Sequence, residues 1–247
     1  MAETSYRHPP IIEAVIEIRF TEAVSVQLLA DVSNALAPRY PSEQIVSNMQ
    51  VQFNVGEASK QPTAQVATGP QAYRRASSTE AEIAVASPTG LVVSQLPDYP
   101  GWEVFFDRFK HDWSNWKKVV GYRKIARVGM RYINRLDLPA EGAVVDHEQY
   151  VNVSARTPDE LGPTLSYAAQ AIFRSEPIGG LVTINSGVVP SPLEGHLSIM
   201  LDIDLGRDHD VPQSDMNLFG LLQEFRKEKN SVFEACITDR ARGLFHR

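Results

Sequence analysis

The chain has 247 residues, of which 43% are hydrophobic, 22% charged and 9% aromatic, enough to bury a sizeable core without disulfide or metal staples. Ordinary numbers of glycine (15) and proline (16), no sustained heptad and a high apolar fraction exclude collagen, coiled coil and disorder. The formal net charge of −6 argues against an extended polyanionic partner unless positive charge is gathered locally.

The opening MAETSYRHPPII carries an early acid and lacks a signal-peptide core, and no apolar run approaches the ~18 residues of a membrane helix. A cytoplasmic protein without a membrane partner is expected. The single cysteine, Cys236, cannot close an internal disulfide, which fits a reducing compartment. Its place on an apolar helical stripe predicts a buried, inert thiol.

In chain order, Ile12, Ala14, Ile16, Ile18 and Phe20 alternate with Glu13, Val15, Glu17 and Arg19, the period of a strand with one face in the core. Val24, Leu28, Leu29, Val32, Ala35 and Leu36 follow at helical spacing, and Pro38 and Pro41 end that helix. Met49, Val51, Phe53 and Val55 predict a second strand, and the Gly/Ser/Gln/Pro/Thr-rich stretch 56–70 a loop. Strands are expected over 72–78, 82–87 and 91–96, the last two joined by the turn Ser87-Pro88-Thr89-Gly90. From Trp102 to Val120 an aromatic stripe marks a long helix whose rings are core.

The second half opens on a strand over 124–138. Val128, Met130, Tyr132, Asn134, Leu136 and Leu138 share one face; Arg127, Gly129, Arg131, Ile133, Arg135 and Asp137 share the other. Within 140–163, HEQYV reads as a short helical turn and TPDELGP as loop. LSYAAQAIF alternates like a strand, with helix as the alternative, and strands follow over 180–188 and 195–205. Ser214 caps a helix carrying Leu218, Leu221, Leu222, Phe225, Val232, Phe233 and Cys236, and Thr238-Asp239 begins a short terminal one.

This order predicts an α+β fold. A largely antiparallel sheet carries two long helices on one face, in two pseudo-repeated β-α-β(3-4)-α halves like a helix-grip or TATA-binding-protein unit. A single compact domain over 1–247 is expected, with 8–121 and 122–247 as intimately packed halves.

HPPIIEAVIEIRF at 8–20, LPDYPGWEVFFDRF at 96–109, RVGMRYINRLDLP at 127–139 and LDID at 201–204 together resemble a sporadically distributed, functionally uncharacterised bacterial family of chains of about this length. The resemblance spans essentially the whole chain, its most specific anchors being the HPPI-x-EA opening and the RYIN-R core. It implies a cytoplasmic accessory protein of patchy distribution, a habit shared with phage-defence and toxin–antitoxin genes, and it carries over no catalytic residue.

No P-loop, dinucleotide fingerprint, HExxH, paired CxxC or GxSxG elbow is present. The six histidines are scattered, with no pair at metal-ligand spacing on one helix. LDIDLGRDHD superficially resembles a calcium loop but has Arg207 where glycine is needed and Gln213 where a bidentate glutamate is needed. On their strand, however, Asp202 and Asp204 share a face and could together hold Mg²⁺ or Mn²⁺.

Charge supplies the other signal. Residues 113–136 contain no acid and carry Lys117, Lys118, Arg123, Lys124, Arg127, Arg131 and Arg135, so the remainder of this −6 chain is at −13. Arginine's planar fork suits phosphate and carboxylate. Seven phosphate contacts would give a log–log salt slope of about −6 on duplex DNA. The same arginines could instead oppose Glu13, Glu17, Asp202 and Asp204 across strands as a register-setting ladder. Tyr122, Arg74 and Arg75 could reach the same surface, and Asn134, interrupting an apolar face, is either a backbone lock or a ligand contact.

The resulting expectation is a non-enzymatic binding or regulatory protein of a bacterial accessory system, of the defence or toxin–antitoxin kind, without a cofactor. It would recognise an anionic partner through Arg127, Arg131, Arg135, Asn134, Tyr132, Lys124 and Arg123. The partner would be a protein, a nucleotide, a short nucleic acid or a second copy of the chain. The alternative is a metal-dependent phosphodiesterase or nuclease with Asp202 and Asp204 as ligands.

Overall fold

The computed structural model describes residues 6–47, 71–140, 146–162 and 164–246. Nine strands and four α-helices follow in the order β1 (Ile11–Phe20), α1 (Val26–Leu36), β2 (Ser42–Ser47), β3 (Gln71–Ala76), β4 (Glu82–Ser87), β5 (Gly90–Gln95), α2 (Trp102–Val120), β6 (Ile125–Pro139), β7 (Ala168–Ser175), β8 (Gly180–Pro190), β9 (His196–Arg207), α3 (Asp215–Cys236) and α4 (Asp239–Arg242). HEQYV contains a single 3-10 turn, His147–Gln149, and TPDELGP another, Asp159–Leu161.

The strands form one open antiparallel sheet in the order β2-β3-β4-β5-β1-β6-β9-β8-β7. Its centre is the β1·β6 pair, with Ile16 opposite Met130 and Ile18 opposite Val128, so strands from both halves of the chain share one ladder. The first strand of each half also lies beside the last strand of that half.

All the long helices lie on one side. Phe20 of β1 stacks on Trp113 and Trp116 of α2 with ring centroids 6.1 and 5.1 Å apart. Phe106 of α2 meets Phe219 of α3 edge-on, and Trp102 Nε1 donates to Gln223 of α3. Ser33 of α1 receives a hydrogen bond from Arg75 of β3, on the same side of the sheet. Trp116, Tyr132, Phe105, Phe109 and Phe225 are fully buried between sheet and helices, which is where the alternating strand faces and the aromatic stripe predict the core.

Local chemistry fixes the ends. Ser25 accepts from the Leu28 N–H and Ser214 from the Asn217 N–H, each as an N-cap. Two elements depart from expectation. Strand β2 occupies Ser42–Ser47, ahead of the alternation at 49–55, because Glu43 is drawn onto Arg75 of the neighbouring strand at 2.7 Å. The expected strand 49–55 and loop 56–70 lie outside the described residues. LSYAAQAIF resolves in favour of strand, because residues 168–175 pair along β8. Among the described residues, no helix is long and apolar enough to cross a membrane.

Candidate functional site: an arginine–carboxylate ladder on the open sheet face

Among the described residues no helix covers the other face of the sheet's centre, and β6 lays Arg127, Arg131 and Arg135 along it, four residues apart or about 13 Å per step. Each guanidinium meets an acid, two of them from the neighbouring strands and one from β6 itself. Arg127 donates from Nη1 to Glu17 of β1 at 2.5 Å and lies 3.7 Å from Asp204 of β9. Arg131 grips Asp202 with Nε and Nη2 at 2.7 and 2.8 Å. Arg135 takes Asp137, two residues along its own strand, with Nε and Nη2 at 2.9 and 3.2 Å.

Register explains the pairing. Arg131 lies directly opposite Asp204, with Asp202 two residues along, opposite Ile133, and its long side chain reaches the diagonal carboxylate. Asp202 is buried and also accepts from Asn185 Nδ2 of β8 at 3.0 Å. This hydrogen-bonded carboxylate holds the Arg131 guanidinium above its ordinary pKa. Burial instead pushes Asp204 upward, against the pull of Arg127 and Arg131.

Two glycines make room for Arg127. A Cβ at Gly129 would stand 2.5 Å from its Nη1, and one at Gly206, directly opposite Gly129, 2.6 Å from its Nη2. The guanidinium therefore lies flat on bare backbone. Glu13, Glu17, Arg19, Arg127, Arg131 and Asp204 ring a shallow depression of about 220 Å³ at this point.

The acids hold the forks without consuming them. Arg131 and Arg135 each spend Nε and one Nη on a carboxylate, leaving the Nη1 edge of a planar, oriented donor; the Arg131 side chain is 48% exposed. The positive charge, however, is fully offset, four arginines against five acids. Arg19, Arg127, Arg131 and Arg135 meet Glu13, Glu17, Asp137, Asp202 and Asp204 on this face, so the face is a ladder of mixed sign and not the cationic surface that β6 alone predicts.

The other expected contacts divide. Tyr132 and Asn134 belong to the opposite, helix-covered face and are 1% and 3% exposed. Asn134 Nδ2 donates to the Leu201 carbonyl at 3.1 Å, a cross-strand lock, and the Tyr132 hydroxyl pairs with Tyr99 at 2.9 Å. Arg123 and Lys124 precede β6 at the sheet's end, where Arg123 Nη1 donates to the Tyr122 carbonyl. Arg75 is buried on the helix side, held by Ser33, Glu43 and the Tyr40 carbonyl.

Both oxygens of Asp202 already accept, from Arg131 and Asn185. Among the described residues, no three of His, Cys, Asp and Glu stand close enough together to hold a metal ion. Cys236 is buried, and burial pushes its thiol up to about 11.

Sequence reasoning missed a second polar cluster on the helix side. Buried Arg108 of α2 donates to the Tyr40 hydroxyl at 2.9 Å and the Ser94 carbonyl at 2.8 Å. Tyr40 in turn donates to fully buried Asp112 at 2.5 Å. Asp112, His111 and Arg39 border a larger cavity of about 450 Å³ between α1 and α2, remote from the ladder. The signal was available: Arg108 and Asp112 stand at i, i+4 beside the aromatic stripe.

Compared with known proteins, the chain matches no family model and no curated protein.

Proposed function

We propose that the protein is a non-enzymatic binding or regulatory component of a bacterial accessory system, recognising an anionic partner through Arg127, Arg131 and Arg135. The observation that supports this reading is the pre-set guanidinium fork. Each arginine is oriented by a carboxylate, and Arg131 and Arg135 keep an Nη edge with no hydrogen-bond partner among the described residues. Donors fixed before the encounter bind with less ordering cost than free side chains. Because each positive charge is balanced locally, recognition proceeds by short-range hydrogen bonds to carboxylate or phosphate oxygens, not by long-range attraction. A phosphodiesterase using Asp202 and Asp204 with Mg²⁺ or Mn²⁺ draws no comparable support, since Asp202 is committed to Arg131 and Asn185.

At the level of the fold, the order of strands about β1 and β6 supports reading residues 8–121 and 122–247 as two copies of a helix-grip-like unit.

The test replaces all three arginines by lysine, which keeps charge but not the two-pronged fork. Fluorescence anisotropy with a glutamate-rich peptide and a short single-stranded oligonucleotide should give binding of at least one probe by the natural chain and about tenfold weaker binding by the triple variant, one fork contact being worth roughly 1.5 kcal/mol. Failure of the natural chain to bind either probe, or equal binding by the lysine variant, overturns the reading.

A further inference from the structure

The ladder leaves one large feature of the molecule without a role. At the end of the sheet, β7 pairs only with β8 among the described strands. Of its residues only Ser175, whose hydroxyl donates to Glu228 of α3, is buried. Ile172 is 59% and Phe173 38% exposed, and Leu181, beside them on β8, is 47% exposed. The opposite edge strand, β2, carries an acid, Glu43, that is tied to Arg75, whereas β7 reads AAQAIFRS, with no acid, lysine, proline or glycine. Soluble proteins blunt exposed edges with charge, proline, bulges or a covering segment. This edge has one arginine and, among the described residues, none of the rest, so its outward N–H and C=O groups form a template for another strand.

The geometry points to a second copy of this chain as the occupant, bound β7 against β7 in antiparallel register with the two-fold axis through Ile172. The sequence of the strand is complementary to itself in that register. Ile172 meets Ile172 of the partner subunit, and on the other face Ala171 lies opposite the partner's Phe173, small against large. Gln170 lies opposite the partner's Arg174, so an amide oxygen faces a guanidinium at both ends. No like charges are opposed, and cross-strand pairs of this kind are the units that stabilise a sheet. The arrangement is isologous and closed, joining two nine-stranded sheets into one while leaving both arginine ladders outside the contact. In this register residues 169–175 pair, seven a side, a small interface, so the dimer dissociates on dilution.

Sedimentation velocity on the full chain over a concentration series tests this, and a charge swap tests the register. The natural chain should move from monomer to dimer as concentration rises. Gln170→Glu, which sets a carboxylate opposite the partner's Arg174 twice, should tighten the dimer about twofold to tenfold at low salt, and Gln170→Lys should loosen it by a similar factor. Both changes fall on an exposed position whose side chain donates to Asn185, and circular dichroism confirms that the variants fold. A chain that stays monomeric at every concentration, a dimer indifferent to both Gln170 variants, or growth into open-ended assemblies would each overturn the inference. Because sedimentation of the natural chain reads the dimer with no anionic probe present, failure here leaves the anion-binding reading standing, and failure of that reading leaves this one.

Discussion

Asp202 and Arg131 illustrate how unequal the two members of one ion pair can be. The carboxylate is buried and the guanidinium half exposed, so removing the arginine strands a buried charge with only Asn185 to serve it. Arg131→Gln is therefore expected to cost about 1–3 kcal/mol, some 2–4 °C in Tm for each kcal/mol in a chain of this length. Arg135→Gln should change stability by less than about 0.5 kcal/mol, because Asp137 is partly exposed and keeps a donor in Ser198 Oγ at 2.5 Å. Thermal melts of the two single variants check the ranking, and equal losses would mean that Asp202 is wetter than its burial implies. Asp112 supplies a pH dependence of opposite origin. Burial raises its pKa in the folded chain, against the hydrogen bonds of Tyr40 and His111 and the charge of Arg108. Below the ordinary carboxylate pKa both folded and unfolded chains hold the proton. As pH rises, the unfolded chain ionises first and stability falls until the folded pKa is passed. Asp112→Asn abolishes that fall, so urea denaturation at pH 4 and pH 7 should show the natural chain losing more stability than the variant across the interval. Parallel losses would place Asp112 in a better solvated setting.

At the scale of the element, glycines separate what holds the sheet from what holds the site. A Cβ at Gly180 would stand 2.3 Å from the Gly206 carbonyl oxygen, an immovable backbone atom, so Gly180→Ala must part β8 from β9 and should cost about 2 kcal/mol. A Cβ at Gly129 meets only the far end of Arg127. Gly129→Ala should leave the melting temperature nearly unchanged while dislodging that guanidinium from Glu17, and a denaturation curve paired with probe-binding anisotropy separates the two effects. The same contrast explains what was legible in the sequence. β1, α2, β6 and β9 announce themselves because each buries one periodic face, a property local to the segment. The core position of Phe20 and Trp113 follows from that periodicity alone. Strand β2 does not announce itself, since SEQIVS is held by a pairing and an ion pair made to a strand more than twenty residues away in the chain. The arginines were visible on one face of β6, and so were the acids of β1 and β9. Which acid meets which arginine depends on register and diagonal reach, and Arg135 turns instead to Asp137 on its own strand.

For the molecule as a whole, folding redistributes charge. The sequence separates a +7 stretch from a −13 remainder, but the sheet places β6 between β1 and β9 and so brings Glu13, Glu17, Asp202 and Asp204 to the arginines. Lys117 is likewise paired, with Asp215 of α3. A partner that takes an Nη edge of Arg131 or Arg135 meets a pair already neutral, and it releases few condensed counterions because the protein's own carboxylates remain in place. Seven independent phosphate contacts predict a log–log salt slope of about −6, each neutralised phosphate contributing roughly −0.9. The balanced ladder predicts a slope no steeper than about −3, because of the seven cations only Lys118 near the end of α2 and Arg123 and Lys124 just before β6 stand outside the ion pairs among the described residues. Titrating a short oligonucleotide by anisotropy at several salt concentrations distinguishes the two regimes. A steep slope would mean that the arginines abandon their carboxylates on binding, and Asp202→Asn, which frees Arg131 beforehand, should then tighten binding. In the shallow regime the same substitution weakens binding, because a guanidinium released from its carboxylate must be ordered anew each time a partner arrives.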